Sequence, residues 1–206
     1  MTDTLAKVRE HLRRYFDEAG VDTEPATATV TFLGAEPIDV LRFHSGTTGL
    51  VYYVSVGCSR HPMLDTTARN VTVADQVRGP RAEVVLRLRD PGLVVRLARS
   101  LAILAATPAV DGVVLTEDAL IDLGCPLWET RSGPAPFTAT LLGRSDIPEV
   151  PLEPPRNPVR FLSVTPITAT EAAWVRLKGA DSLREAWQSD GVDVLDPNRL
   201  PYSQTE

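Results

Sequence analysis

The sequence is poor in the residues on which disulfide-rich domains and most metal centres depend. Its 206 residues include two cysteines and three histidines. Cys58 and Cys125 are too few and too far apart for a disulfide framework, so we expect reduced thiols and a cytoplasmic location. Because acid–base and zinc chemistry usually draw on histidine, the shortage restricts enzymatic functions, and we predict no bound metal and no other cofactor.

The sequence also lacks a long apolar run and an excess of basic residues. Its longest apolar stretch, Leu101 to Ala106, is too short to span a bilayer, and its N-terminus lacks a signal-peptide pattern. Proteins that bind nucleic-acid phosphates need a concentrated basic face, whereas the formal net charge here is −6. We therefore expect neither a membrane nor a nucleic-acid partner. An acidic surface would attract a basic protein, although ordinary soluble proteins carry a similar charge.

What the sequence does contain is enough apolar material for one sizeable core. Hydrophobic residues make up 43% of the chain, and its length suits a single domain over residues 1–206 with a core at about 25–200. Apolar side chains recur every three or four positions over residues 4–19, and Gly20 can end the turn. This periodicity predicts an N-terminal amphipathic helix.

Alternating or β-branched segments between turn residues predict the strands of a sheet. The segments are 28–32, 38–43, 50–56, 84–88, 113–115, 137–141 and 159–164. Residues 50–56 are apolar at odd and even positions alike, which predicts an interior strand covered on both faces. In the fourth segment, apolar residues alternate with Glu83, Arg87 and Arg89, which predicts one face open to water.

Three further helices are predicted between and after these strands. One begins at Pro91 and ends before Pro108, and Asp111 with Gly112 indicates a turn after it. Thr168 forms a capping box with the glutamate three residues later, and Ser182 repeats the device for a last helix. The order of the elements predicts an α+β fold, a mixed and mainly antiparallel sheet with helices packed on it.

One pair of residues could carry catalysis. Cys58 and His61 follow the third strand, within a loop predicted over residues 57–81. They offer two metal ligands where zinc needs three or four, and as a catalytic pair they would have to lie within hydrogen-bond distance. The alternative interpretation is a small residue that ends a buried strand. A hydrolase-like enzyme using this pair is the competing functional class, since the phosphate-loop and nucleophile-elbow motifs are missing.

The segment Tyr53-x-Ser55-x-Gly57-x-Ser59 resembles the Suppressor of fused (SUFU) family. Further segments resemble that family in the same order along the chain, over roughly residues 25–200. They are residues 34–40, 83–89, 97–99, 159–162, 166–171 and 179–183. Their ordered series carries the resemblance, and it corresponds to the N-terminal domain of the longer animal members.

The resemblance implies a non-enzymatic protein that binds another protein or a peptide. Animal members clamp an extended peptide between two domains, partly by strand addition. Their peptide-contacting tyrosine and nearby acidic contact correspond to Ser100 and Asp111, and with Tyr53 these are our candidate protein-binding residues. The resemblance to bacterial members implies an immunity protein that neutralises a toxin, and a basic nuclease is our hypothesis for that toxin. A purely structural homo-oligomer is a third class, and the sequence does not predict the oligomeric state.

Overall fold

The computed structural model describes residues 3–21, 23–63, 77–92 and 94–202. Its α-helices are α1 (Thr4–Glu18), α2 (Leu97–Asp111), α3 (Ala169–Lys178) and α4 (Ala180–Ser189). Its strands are β1 (Ala26–Phe32), β2 (Ala35–His44), β3 (Leu50–Val56), β4 (Arg81–Arg89), β5 (Leu120–Asp122), β6 (Glu129–Thr130), β7 (Gly133–Pro134), β8 (Phe137–Arg144) and β9 (Val159–Thr168). A short 3-10 helix, Cys58–Arg60, follows β3. None of the helices within these ranges is long and apolar enough to cross a membrane.

Seven strands form one sheet in the order β1-β2-β3-β4-β9-β8-β5. Neighbours are antiparallel except for β4 and β9, which run parallel. The connection from β4 to β9 is long enough to contain α2, as a crossover between parallel strands requires. The predicted α+β fold with a mixed, mainly antiparallel sheet is confirmed.

The sheet has helices on both faces, and the strand alternation decides which side chains meet which helix. On one face, Val40 and Tyr53 pack in a cluster with Leu101 of α2. On the other face, Leu41 and Val54 pack with the apolar stripe of α1. β3 is therefore an interior strand covered on both sides, as predicted from its apolar residues at both odd and even positions.

A smaller cluster holds α3 and α4 against the β8 end of the sheet. Glu171 and Arg199 form a buried ion pair there, with nitrogen–oxygen distances of 2.6 and 3.0 Å. The Trp187 indole donates to the same carboxylate at 3.1 Å, and the Arg199 guanidinium also donates to the Pro166 carbonyl at 2.8 Å. The predicted capping box of Thr168 with Glu171 is present. One carboxylate thus caps α3 and fixes the C-terminal segment.

Helix α2 differs from its predicted limits at both ends. Residues 91, 92 and 94–96 are not helical because Gly92 donates its N–H to the Asp90 carboxylate and Val95 exchanges two backbone hydrogen bonds with Glu129. At the other end, α2 continues through Pro108 to Asp111. Proline cannot donate to the carbonyl of Leu104, but the Thr107 hydroxyl donates to that oxygen at 2.8 Å.

Other local predictions were wrong as well. Residues 113–115 belong to no strand of the described structure, and Asp111 ends α2 instead of lying in a separate turn. α4 begins at Ala180, and Ser182 accepts a hydrogen bond from the Trp174 indole instead of capping the helix. Glu83 does not face water, because the loop after β3 covers it. The three-residue β5 and the two-residue β6 and β7 are too short to show periodicity in the sequence.

We expect Arg199→Met to lower the free energy of unfolding by about 3–5 kcal/mol, because it leaves the Glu171 carboxylate buried without its cation. Urea unfolding measures the loss. The double variant Glu171→Gln/Arg199→Met should be less destabilised, since no buried charge remains. As a matched control, Arg176→Met removes the exposed pair with Asp122 and should change stability by less than about 1 kcal/mol. Equal losses at the two arginines would contradict this account.

Candidate functional site

A buried carboxylate connects the motif on β3 with the strand beside it. The Glu83 side chain is fully buried. Its Oε1 accepts from the Gly57 N–H at 2.9 Å, the Ser59 N–H at 3.0 Å and the Ser59 hydroxyl at 2.6 Å. Its Oε2 accepts from the Ser55 hydroxyl at 2.5 Å, and that hydroxyl oxygen accepts from the Val84 N–H at 2.9 Å. Ser55, Gly57 and Ser59 of the motif therefore all donate hydrogen bonds to this carboxylate.

Burial raises the pKa of Glu83 above its ordinary value of 4.5, although the donors from Gly57, Ser55 and Ser59 act in the opposite direction. Beside it, the nearly buried Arg81 donates to the carbonyls of Ser59 and Arg60, each at 2.8 Å. The turn after β3 is thus held through its N–H groups by Glu83 and through its carbonyls by Arg81.

Gly57 is the one position in this turn where a side chain cannot be accommodated. Its backbone has φ 148°, and a Cβ added there would lie 2.9 Å from Ile38 Cδ1 and 3.1 Å from the Pro37 carbonyl oxygen. Both the backbone conformation and the contact with β2 require glycine. The close approach of the turn to β2 shapes one wall of the cavity described next.

A groove of about 590 Å³ lies between this turn, the start of β2 and the C-terminal end of α2. We call it the Asp111 groove. Its walls include Glu36 and Ile38 from β2, Cys58 and His61 from the turn, and Pro108, Val110 and Asp111 from α2. The structure therefore brings together Asp111, Cys58 and His61, which lie in three separate segments of the sequence.

The Asp111 groove has negative character at the α2 end. Asp111 is exposed and, among the residues that the structure describes, has no cationic partner. It also lies at the last residue of α2, where the helix macrodipole is negative and where no basic side chain occupies the last turn. In contrast, Glu36 is paired with Arg60 at 3.1 Å and with His61 at 2.8 Å. The uncompensated charge is thus that of Asp111 and the helix end.

A segment without regular secondary structure follows α2 at the edge of the Asp111 groove. Gly112 ends the helix with a left-handed backbone (φ 67°), and residues 113–116 then run without a strand partner. Val113 donates to the Thr107 carbonyl at 3.5 Å, and the Leu115 N–H points to the Met63 sulfur at 3.4 Å. The backbone of Val114 has no hydrogen bond among the described residues. A backbone with free donor and acceptor groups is able to pair with another strand.

The other two candidate binding residues lie away from the Asp111 groove. Ser100 is buried in the first turn of α2, eleven residues before Asp111, which places it about 16 Å along the helix axis. Tyr53 is buried on β3 and accepts a hydrogen bond from Arg42 at 3.3 Å. The three residues predicted for protein binding therefore do not form one surface, and only Asp111 lines this groove.

Cys58 and His61 both line the groove but show no catalytic arrangement. Burial, with a smaller effect of Glu83, raises the pKa of the Cys58 thiol well above its ordinary value, whereas a nucleophilic cysteine needs a lowered one. The His61 imidazole is 2.8 Å from Glu36 Oε2 and makes no hydrogen bond with Cys58. No cluster of three or more potential metal ligands occurs within the described ranges.

Sequence reasoning did not find Glu83 as the partner of the serine and glycine motif. Because Glu83 lies in a strand of alternating polarity, the sequence predicted that its side chain faces water. The signal that could have identified it lies in the neighbouring segment, because two serines and a glycine at alternate positions after a buried strand supply several donors. Glu36 lies in a segment that resembles the family but carried no signal of a site residue. Residues 113–115 carried a strand pattern, and the structure gives them no strand partner among the described residues.

The mixed seven-stranded sheet, with its carboxylate-held turn, is a SUFU-type fold. The family model of the Suppressor of fused protein (SUFU) matches residues 34–200. This chain belongs to the SUFU family, and the resemblance inferred from its sequence is confirmed. A search of curated proteins found no match.

Solved SUFU structures share the fold at low sequence identity. A SUFU homolog from Neisseria gonorrhoeae has a TM-score of 0.65 and 18% identity, with 100% of both chains covered. A chain of a Sufu-Fu complex has a TM-score of 0.62 and 14% identity over 96% of this chain and 91% of that one. Drosophila Suppressor of Fused has a TM-score of 0.63 and 14% identity over 97% of this chain. The present chain spans 51% of the Drosophila protein.

We expect the stability difference between the wild type and Glu83→Gln to depend on pH. A raised pKa means that the folded protein holds this proton more tightly than the unfolded chain. The Glu83 contribution is therefore fully present below pH 4.5 and is lost as pH rises through the folded-state pKa. Urea unfolding of both proteins between pH 4 and about pH 8 measures the difference.

The control for this experiment is the exposed Glu185→Gln, whose stability should follow that of the wild type at every pH. A difference between wild type and Glu83→Gln that increases with pH would show instead that the four donors outweigh burial.

We expect Cys58 to react with Ellman's reagent at least about tenfold more slowly than Cys125 at pH 7, because the thiolate is the reactive form and burial disfavours it. Cys125 is exposed. The variants Cys125→Ser and Cys58→Ser isolate each thiol, and the rate at Cys58 should still be rising above pH 9. Fast labelling of Cys58 at neutral pH would revive the catalytic alternative.

Proposed function

We propose that this chain acts as one SUFU-type protein-binding domain and not as an enzyme, and that it holds a partner segment in the Asp111 groove. Family membership supports the class of function, and a structural neighbour is a protein complex, the Sufu-Fu complex. The choice of this surface rests on the position of Asp111. The acidic residue singled out by the family resemblance lines a groove of about 590 Å³.

The charge of the groove supports a partner with a basic side chain. Asp111 lies unpaired at the negative end of α2 within the described structure, so a lysine or arginine there would interact with both the carboxylate and the helix end. The formal net charge of −6 would also attract a basic protein over a longer range.

The backbone of Val114 supports a partner segment that is extended. Among the described residues, the Val114 backbone beside the groove has no hydrogen-bond partner, and pairing with an incoming strand would supply one. A partner that combines such a strand with a basic side chain would use both features. Tyr53 and Ser100 remain candidate contacts for a partner large enough to reach the other end of α2.

For the biological role, we propose an immunity-type function in a bacterial cytoplasm, in which the chain sequesters a toxin such as a basic nuclease. The fold shared with the Neisseria gonorrhoeae homolog over the whole of both chains fits a bacterial member of this size. Co-expression with the product of an adjacent gene provides the test. Rescue of growth from a toxic neighbouring product supports the role, and failure to rescue growth argues for another sequestration function.

We expect Asp111→Arg to weaken partner binding at least about tenfold, because it replaces the attracting charge with a repelling one. A photo-crosslinking amino acid at the exposed Val110, introduced in the native cell, captures the partner, and mass spectrometry identifies it. The captured protein is then purified for affinity measurements with the wild type and the variants.

The matched control is Asp17→Arg on α1, an exposed residue on the opposite face of the sheet, which should bind like the wild type. Crosslinks from position 17 but not from position 110, or equal affinities for both arginine variants, would contradict the Asp111 groove as the site.

A further inference from the structure

A second groove lies at the N-terminal end of α2. It has a volume of about 750 Å³ and is bounded by β1, β2, β3 and the first turn of α2. We call it the arginine groove. Its apolar lining includes Ala28, Val30 and Leu97, and Arg42, Arg96 and Arg99 bring three guanidinium groups to it. The combination of small apolar side chains and cations distinguishes it from the Asp111 groove.

Within the described part of the chain, two of these guanidinium groups have no carboxylate partner. Arg96 is paired with Glu129 at 2.8 Å, but Arg42 and Arg99 form no ion pair among the described residues. The one acidic residue of the groove, Asp90, lies 3.6 Å from His44. Since the whole chain carries a net charge of −6, this uncompensated positive charge is a local exception.

The position of the arginines on α2 is unfavourable for the helix alone. The N-terminal end of a helix is positive and is stabilised by acidic residues, yet α2 has no acidic residue in its first turn. Arg99 lies in that turn instead. A carboxylate from outside would compensate both the arginines and the helix end.

Strand β1, which borders the arginine groove, is an edge strand of the sheet formed by the described residues. Natural edge strands are usually protected by charged residues, proline or a covering segment, but β1 (ATATVTF) has neither a charge nor a proline. It is largely exposed along its length. Ala28 and Val30 face the groove, and their small side chains leave room above the strand.

We propose that β1 and the arginine groove together dock an extended acidic segment of a partner protein. The segment would add to the sheet beside β1 by backbone hydrogen bonds, and its alternate side chains would point toward the arginine groove. Carboxylates at those positions would bind Arg42 and Arg99. About seven residues would span the strand, whose length is about 23 Å.

The same observations argue against a second copy of this chain as the occupant. Pairing of two β1 strands would supply no carboxylate, because the seven residues of β1 are uncharged. It would instead bring a second set of unpaired arginines to the junction. The proposed segment is opposite in charge to the partner of the Asp111 groove, so the two surfaces can be tested independently.

The test uses random ten-residue peptides displayed on phage, selected on the full-length wild type and counter-selected on Arg42→Glu/Arg99→Glu. We expect enrichment of peptides with aspartate or glutamate at alternate positions. A synthetic enriched peptide should lose at least about tenfold in affinity with the double variant and weaken as salt is raised. Hydrogen exchange should slow at the β1 amides when the peptide binds, which is specific to strand addition.

Arg13→Glu/Arg14→Glu is the charge-matched control, because both exposed residues lie on α1 at the opposite face of the sheet. It should bind the peptide like the wild type. Selection without acidic enrichment, equal affinity for the double variant, or unchanged exchange at β1 would overturn the proposal. Self-association of the wild type that protects β1 without peptide would also overturn it in favour of a dimer.

Discussion

The buried carboxylate of Glu83 is the interaction on which the arrangement of this fold depends. Removing a carboxylate from water is unfavourable unless donors replace the solvent, and here two N–H groups and two hydroxyls do so. Those donors belong to the end of β3 and the turn after it. The carboxylate therefore fixes the turn, the turn approaches β2 so closely that only Gly57 fits, and this approach creates one wall of the Asp111 groove.

Helix α2 relates the two grooves to each other. It crosses one face of the sheet and exposes its two ends at different grooves, with Arg99 near the positive end and Asp111 at the negative end. Both charges interact unfavourably with the helix macrodipole, so helix stability explains neither of them. Each is consistent with an external group of opposite charge. The core beneath the helix is apolar, and the helical rise sets the separation of the two ends.

The strands and helices with long, regular patterns were predictable from the sequence. The elements that are short, or whose limits depend on tertiary contacts, were not. α1, β3 and the capping box before α3 each have a local signal that the structure confirms. α2 was misjudged at Pro108, where the Thr107 hydroxyl takes over the missing hydrogen bond. Ser182 was misjudged because a serine that can cap a helix can equally accept from an indole.

The sequence by itself determined the α+β class, the family and the list of chemically distinctive residues, because periodicity, capping and ordered motifs are local properties of the chain. Only the tertiary structure decided which of those residues meet. It buried Glu83 under a turn that comes 24 residues earlier in the chain. It also separated Tyr53 and Ser100 from Asp111, although the sequence grouped all three as candidate protein-binding residues. Residues distant in sequence are brought together by strand order and helix placement, and no local pattern encodes either.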